Sequence, residues 1–255
     1  MPDRPATRLY IPTALTAGAA IALDVDQAHK LRTVLRLADG APIAAFNERD
    51  GEWLCRLRQQ GRRGGMIAVE AQRRAPEFEV GPWLVFAPIK RARLDWLIEK
   101  ACELGAGAFV PIWTARTQPE RLNRERLHSL ATAAAEQSER LSVPTVAEPQ
   151  SFDHMLAAWS KERRLIVCDE TGGGVPLAEV LATSVHETPV AVLIGPEGGL
   201  TETELDALGK LPIVNRVGLG PRVLRAETAA LAALAVFQAI AGDWRRARSR
   251  ETRLQ

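Results

Sequence analysis

The spacing of apolar residues changes near residue 76. Before it, apolar residues come in short runs, Ala41 to Phe46, Trp53 to Leu57 and Met66 to Val69. Turn signals at Asp39-Gly40, Asp50-Gly51 and Gly64-Gly65 separate them. Such runs between glycine-containing turns predict short strands, and Asn47-Glu48-Arg49-Asp50-Gly51 between two of them predicts a hairpin. Only Asp26 to Leu37 has helical spacing. Closely spaced strands predict a small barrel over residues 1–75, followed by a linker at Arg73-Arg74-Ala75-Pro76.

After the linker, strand and helix patterns alternate. Strands are predicted at Trp83 to Ile89, Ala108 to Trp113, Leu165 to Asp169, Val190 to Ile194 and Ile213 to Val217. Between them, Arg91 to Leu104 places Leu94, Leu97, Ile98, Ala101 and Leu104 on one helical face, with Gly105 as the stop. Helices are also predicted over Arg121 to Arg140, from Pro176, after Gly199, and along an Ala-rich stretch to about Asp243. This alternation predicts an α/β domain with a mostly parallel sheet. Ligands of open α/β sheets bind at the carboxyl ends of strands. Three loops leave such ends: Glu170 to Gly174, Gly195 to Gly199, and Gly218 to Glu227.

Composition narrows the picture modestly. The 255 residues, 46% hydrophobic and 25% charged, suit one large or two modest globular domains. The net charge is only +2, but residues 1–75 hold 12 Lys/Arg against 8 Asp/Glu, while the remainder holds 21 against 23. A mildly basic N-terminal part fits an anionic partner, and fits plain solubility equally. Cys55, Cys102 and Cys168 lie far apart with no Cys/His cluster, so no metal is expected. Isolated thiols, no apolar stretch behind Met1-Pro2-Asp3-Arg4, and a longest apolar run of only Ala229 to Phe237 lead to the expectation of a cytoplasmic protein.

Two of the loops carry unusual chemistry. Val190 to Ile194 runs into Gly195-Pro-Glu-Gly-Gly199, and Thr201 with Glu204 has the form of a capping box. No Lys-Ser/Thr follows and no GxGxxG is present, which removes the Walker and Rossmann readings. The loop Gly218 to Glu227 crowds Arg222, Arg225 and the pair Glu227-Thr228 ahead of an apolar helix. Arg225 and Glu227 have the spacing of a surface ion pair as well as that of a site.

Ile194-Gly-Pro-Glu-Gly-Gly-Leu200 and Leu219-Gly-Pro-Arg-Val-Leu-Arg-Ala-Glu-Thr-Ala229 together resemble the RsmE family of SPOUT-class methyltransferases. Arg8-Leu-Tyr-Ile11, His29-Lys-Leu-Arg-Thr-Val-Leu-Arg36, Glu99-Lys-Ala-Cys-Glu-Leu-Gly105, Arg116-Thr117 and Glu136-Gln-Ser-Glu-Arg140 agree, so the resemblance spans nearly the whole chain. It implies S-adenosyl-L-methionine (AdoMet)-dependent methylation of N3 of a uridine in 16S rRNA of the small ribosomal subunit. It also implies an N-terminal PUA-like barrel (1–75), a SPOUT domain with a deep trefoil knot (76–245), a basic tail (246–255), and a homodimer with its active site at the subunit interface. The alternatives are a SPOUT enzyme acting on tRNA or 23S rRNA, and a non-enzymatic RNA-binding dimer.

By the same resemblance, Leu193, Ile194, Gly195, Gly198, Gly199, Leu219, Gly220 and Leu224 hold the cofactor. Uridine N3 carries a proton at neutral pH, so catalysis needs a proton acceptor or a cation at a ring oxygen. Arg225 is the candidate cation, and Glu197 or Glu227 the candidate base. Arg8, His29, Arg32, Arg36, Arg116 and Arg140 are candidate RNA contacts. His29, Arg32 and Arg36 have the spacing of one helix face.

Overall fold

The break in apolar spacing corresponds to a division of the chain. The computed structural model describes residues 4–61, 64–77, 79, 81–118, 121–183 and 188–245. Among these, one unit takes the residues up to 77 together with 135–143, and a second takes 79–134 and 144–245. The return of residues 135–143 to the first unit has no signature in local sequence. The basic C-terminal tail lies outside the described residues.

The first unit contains β1 (Arg8–Tyr10), β2 (Ala20–Ala22), α1 (Val25–His29), β3 (Pro42–Asn47), β4 (Gly51–Gln60) and β5 (Gly64–Arg74). Its strand order is β1-β3-β4-β5-β2. β1 runs parallel to β3, and the other pairs are antiparallel. The predicted hairpin joins β3 to β4. Asn47 fastens it: its Oδ1 accepts from the amides of Arg49 and Asp50, and its Nδ2 donates to the carbonyls of Ile11 and Thr13. Gly51 has φ +77°, and a Cβ there would lie 2.2 Å from the Arg74 carbonyl. β5 runs through Arg74, so the expected linker begins only at Ala75. Ile67 and Val69 alternate inward along β5 and join Leu9, Ile11, Leu31, Ile43, Cys55 and Leu57 in the core.

The helix expected over Asp26 to Leu37 is broken in two. α1 ends at His29, and Lys30–Val34 forms a wider π turn in which the Leu35 amide bonds the Lys30 carbonyl. Leu31 is fully buried there, while Val34 and Leu35 face solvent. Arg36 then ends the segment with φ +51°.

The second unit contains β6 (Trp83–Phe86), α2 (Arg91–Glu103), β7 (Ala108–Trp113), α3 (Arg124–Gln137, its last turn counted with the first unit), β8 (Thr145–Val146), β9 (Gln150–Ser151) and α4 (Phe152–Ala157). It continues with β10 (Arg164–Cys168), β11 (Val175–Pro176), α5 (Leu177–Ala182), β12 (Val190–Ile194), α6 (Glu202–Gly209), β13 (Val214–Gly218) and α7 (Ala226–Ile240). The strand order is β11-β13-β10-β12-β6-β7-β8, with β9 also on β7, and every pair is parallel. Central strands of a covered parallel sheet are apolar throughout, as in β12, where all five residues are buried. Val85, Val110, Leu165, Val167, Leu193, Leu200 and Leu208 form one core of this unit. The expected face of α2 is buried at Leu94, Leu97, Ile98 and Ala101, and Gly105 stops it with φ +80°. Trp96 is 46% exposed on the opposite face.

Candidate active site

Parallel register brings four strand ends to one level. Ile194 lies opposite both Phe86 and Cys168, and Cys168 also lies opposite Val217. The segments after β6, β10, β12 and β13 therefore all leave the same edge. The Ala87 amide still bonds the Ile194 carbonyl, and the Asp169 amide the Val217 carbonyl, so the ladder continues one residue past the strands.

The loop after β12 is held from inside the protein. Leu200 is buried in the core, and the Gly199 amide closes a turn on the Pro196 carbonyl at 2.8 Å. The predicted capping box is present: Thr201 Oγ1 accepts from the Glu204 amide, and Glu204 Oε2 accepts from the Thr201 amide. The other oxygen of the buried Glu204 accepts from the Ala115 amide at 2.8 Å, tying α6 to the segment after β7.

The glycines of this loop serve contacts that the sequence does not reveal. A Cβ on Gly195 would meet Leu200 Cγ at 3.3 Å, so this glycine makes room for the core. A Cβ on Gly198 would touch Arg116, whose Nη1 donates to the Gly198 carbonyl at 2.8 Å. A Cβ on Gly199 would fall 1.9 Å from Glu170 Oε1, and Gly199 itself has φ +71°. In the neighbouring loops, Gly220 after β13 (φ +97°) and Gly172 after β10 (φ +85°) have open space where a side chain would stand.

The loop after β10 is fixed by Asp169, whose side chain is fully buried. Its Oδ1 accepts from the Thr171 amide and hydroxyl, and its Oδ2 from Arg216 Nε and Nη2 at 3.0 and 2.6 Å. Burial alone would raise this carboxyl, but the bonds from Thr171 and Arg216 outweigh it and hold Asp169 below the usual carboxylate range.

The loop after β13 presents half-exposed Leu219 and Leu224 beside Gly220 and delivers Arg225 as the cap residue of α7. Arg225 is exposed, makes no side-chain capping bond, and has no ion-pair partner among the described residues. Glu227, two residues on, is buried. The ion pair their spacing suggests is not formed. Glu227 Oε1 instead faces Arg93 Nε at 3.7 Å, and its Oε2 is buried with no hydrogen-bond partner among the described residues. Arg93 Nη1 also holds Glu197 Oε1 at 2.5 Å. Arg93 thus lies between the two candidate bases, and the sequence reading passed over it because Arg91-Ala-Arg93 opens a helix recognised only by its apolar face.

The candidate RNA contacts divide sharply. Arg8 is committed within the first unit: Nε donates to Glu52, Nη1 to the carbonyls of Ala135 and Glu136, and Nη2 to that of Arg140. Its guanidinium also lies 4.1 Å from the centre of the Phe46 ring. Arg140 is buried and bonds Ser142. Neither is placed to meet a phosphate. Glu136 accepts from the Tyr10 amide and pairs with Lys30, a bridging role. His29 and Arg36 are exposed, and Arg32 makes long bonds to Gln59 and the Gly64 carbonyl. The π turn removes the α-helical spacing that placed these three on one face. Arg116 lies in the second unit, on Gly198. Among the described residues, no three His, Cys, Asp or Glu side chains group as a metal site.

Residues 76–238 match the model of the RNA methyltransferase domain family. The chain is 30% identical to the ribosomal RNA small subunit methyltransferase E of Rickettsia conorii over 89% of this chain and 93% of that one. The chain belongs to the ribosomal RNA small subunit methyltransferase E family. The Bacillus subtilis member is 31% identical, over 83% of this chain and 87% of its own. The Neisseria gonorrhoeae member, whose crystal structure was solved bound to S-adenosyl methionine, superposes with a TM-score of 0.83 at 26% identity, covering 93% of this chain and 99% of that one. The family match spans all four segments at the carboxyl edge of the sheet.

Proposed function

We propose that the protein transfers the methyl group of AdoMet to N3 of a uridine in 16S rRNA. The observation that carries this reading is at the start of α7. An exposed guanidinium, Arg225, without an ion-pair partner among the described residues, stands two residues from Glu227, a buried carboxylate with one oxygen unbonded among those residues. A buried polar atom without a partner costs about 1–3 kcal/mol, and where a native protein keeps one a role in binding or chemistry is the first explanation.

The residues at the sheet edge fit the cofactor. Half-exposed Leu219 and Leu224, the buried Leu193 and Ile194 at the end of β12, and the open space at Gly220 supply apolar side chains and accessible backbone. Such groups suit a flat base, and they do not favour the charged donor over a transition state that is losing that charge. AdoMet, when bound, supplies the electrophilic methyl group. Arg225 stabilises the negative charge that develops on a uracil oxygen. Glu227 accepts the N3 proton, and Glu197, tied to Arg93, does not. In this reading the first unit is a PUA-like barrel that binds RNA, the second is a knotted SPOUT domain, and the working species is a cytoplasmic homodimer on the small ribosomal subunit.

The test is mass spectrometry of 16S rRNA from cells lacking the protein, with purified protein and AdoMet added back to small-subunit particles. Loss and restoration of one 3-methyluridine is the expected result. Intact 3-methyluridine in the deletion strain would overturn the substrate. In the reconstituted reaction, Glu227→Gln lowers the single-turnover rate at neutral pH far more than Glu197→Gln; equal, small effects remove Glu227 as the acceptor.

A further inference from the structure

Gly198 and Gly199 stand between two opposite charges to which the methyl-transfer step gives no work. Arg116, three residues past β7, bonds the Gly198 carbonyl through one nitrogen only. A Cβ on Gly198 would lie 3.4 Å from its Cβ and 3.5 Å from its Cδ. Glu170, two residues past β10, sets Oε1 against Gly199 so closely that any Cβ there would overlap it. Both side chains belong to exposed residues, and neither pairs with the other or with any other charged residue described.

Successive Cα atoms are 3.8 Å apart, so an acid and a base flank adjacent positions of one loop without neutralising each other. The segment that carries Glu170 is fixed by the buried Asp169, Thr171 and Arg216 network. The segment that carries Arg116 is fixed by Glu204 on the Ala115 amide and by Thr114 with Thr117. Each charge therefore stands on a braced backbone with hydrogen-bonding capacity left over. A ligand that satisfies both is a zwitterion, which carries an ammonium for the acid and a carboxylate for the base.

We propose that Glu170 and Arg116 bind the α-ammonium and the α-carboxylate of the amino-acid end of the methyl donor. This rests on the reading that this sheet edge holds AdoMet, and it moves Arg116 from the RNA side of the reaction to the cofactor side.

Calorimetry on the full-length protein tests it with three ligands: AdoMet, S-adenosylhomocysteine, which keeps the zwitterion but not the sulfonium, and methylthioadenosine, which lacks the amino-acid end. Glu170→Gln and Arg116→Gln are each expected to weaken AdoMet and S-adenosylhomocysteine by about ten- to a hundredfold, the usual range for a lost charge-assisted bond. Methylthioadenosine affinity stays within about twofold of wild type. A parallel loss of methylthioadenosine would mean that these side chains shape the adenosine site, and would overturn the assignment. A loss confined to AdoMet would place Glu170 at the sulfonium, with the same consequence. Unchanged S-adenosylhomocysteine affinity refutes it outright. Glu170→Asp and Arg116→Lys, which keep the charges, guard against local misfolding and should retain most of the affinity. Wild-type protein that binds none of the three ligands would overturn the cofactor site itself, a result distinct from the others.

Discussion

Arg8 and Arg225 look alike in the sequence, each an arginine in a motif of the same family, yet the two regions use them in opposite ways. Around Arg8, the guanidinium meets a carboxylate, three carbonyls and an aromatic face, all from the first unit. Around Arg225, neighbouring carboxylates are engaged elsewhere: Arg93 holds Glu197 and faces Glu227, and Arg225 is left exposed. The difference teaches that a charge becomes a functional signal only after its internal partners have been counted. A guanidinium whose donors are all taken holds the fold together; one without partners has donors left for a ligand.

The comparison breaks most visibly if Arg225 behaves as a structural residue. Arg225→Ala is expected to lower single-turnover methylation by roughly a hundred- to a thousandfold, the usual cost of losing one preorganised donor. Denaturant midpoints should move little, since an exposed, unpaired side chain contributes within about 0.5 kcal/mol. Arg225→Lys restores only part of the rate, because a point charge does not reproduce the planar fork. Near wild-type turnover in Arg225→Ala would erase the contrast.

Arg8→Ala should show the mirror image. Removing it takes a donor from three carbonyls, of which that of Ala135 keeps the Arg140 amide, and leaves Glu52, which is 6% exposed, to Arg73 alone. Loss of one partner from such a buried network costs about 3 kcal/mol or more, read as a lower denaturation midpoint. If stability holds and only RNA affinity falls, Arg8 belongs with the ligand-facing residues after all.

A smaller effect sharpens the comparison within the first unit. If His29, Arg32 and Arg36 supply its remaining cationic face, the double substitution Arg32→Ala with Arg36→Ala flattens the dependence of RNA binding on salt by up to about two phosphate contacts. An unchanged slope places the RNA surface elsewhere.

The smallest effect concerns the thiols. Burial pushes both Cys55, in the first unit, and Cys168, in the second, up to about 12. The unfolded chain ionises its thiols first, near pH 8.5. Their contribution to stability is therefore present below that value and is lost as pH rises toward 12. Iodoacetamide labelling of the native protein at pH 9 should proceed only as fast as the chain opens, and rapid labelling of either thiol shows that its surroundings are looser than the packing indicates.

Much of this was legible in the sequence because it is governed by local rules. Strand β7 and strand β12 fall where alternation and flanking glycines put them, the Asn47 to Gly51 hairpin forms, and Thr201 with Glu204 caps α6. Each depends on residues a few positions apart. The two-residue strands β8, β9 and β11 left no signal, since their pairing is decided by neighbours far along the chain. The interrupted helix at Lys30–Val34 was equally hidden, because its apolar spacing is compatible with an uninterrupted α-helix.

The sequence by itself determined the kind of protein: the order of the elements, the parallel sheet, the glycine loops at strand ends and the family these loops indicate. Tertiary structure alone decided which charges are available. It paired Arg93 with Glu197, buried Glu227 with one oxygen unbonded, enclosed Arg8 and Arg140, and set Glu170 and Arg116 on adjacent glycines. The physical reason is range. Backbone geometry and apolar periodicity act between residues within a turn or a strand pair, whereas hydrogen bonds and ion pairs saturate: a donor taken by a carbonyl 132 positions away is no longer free for a ligand.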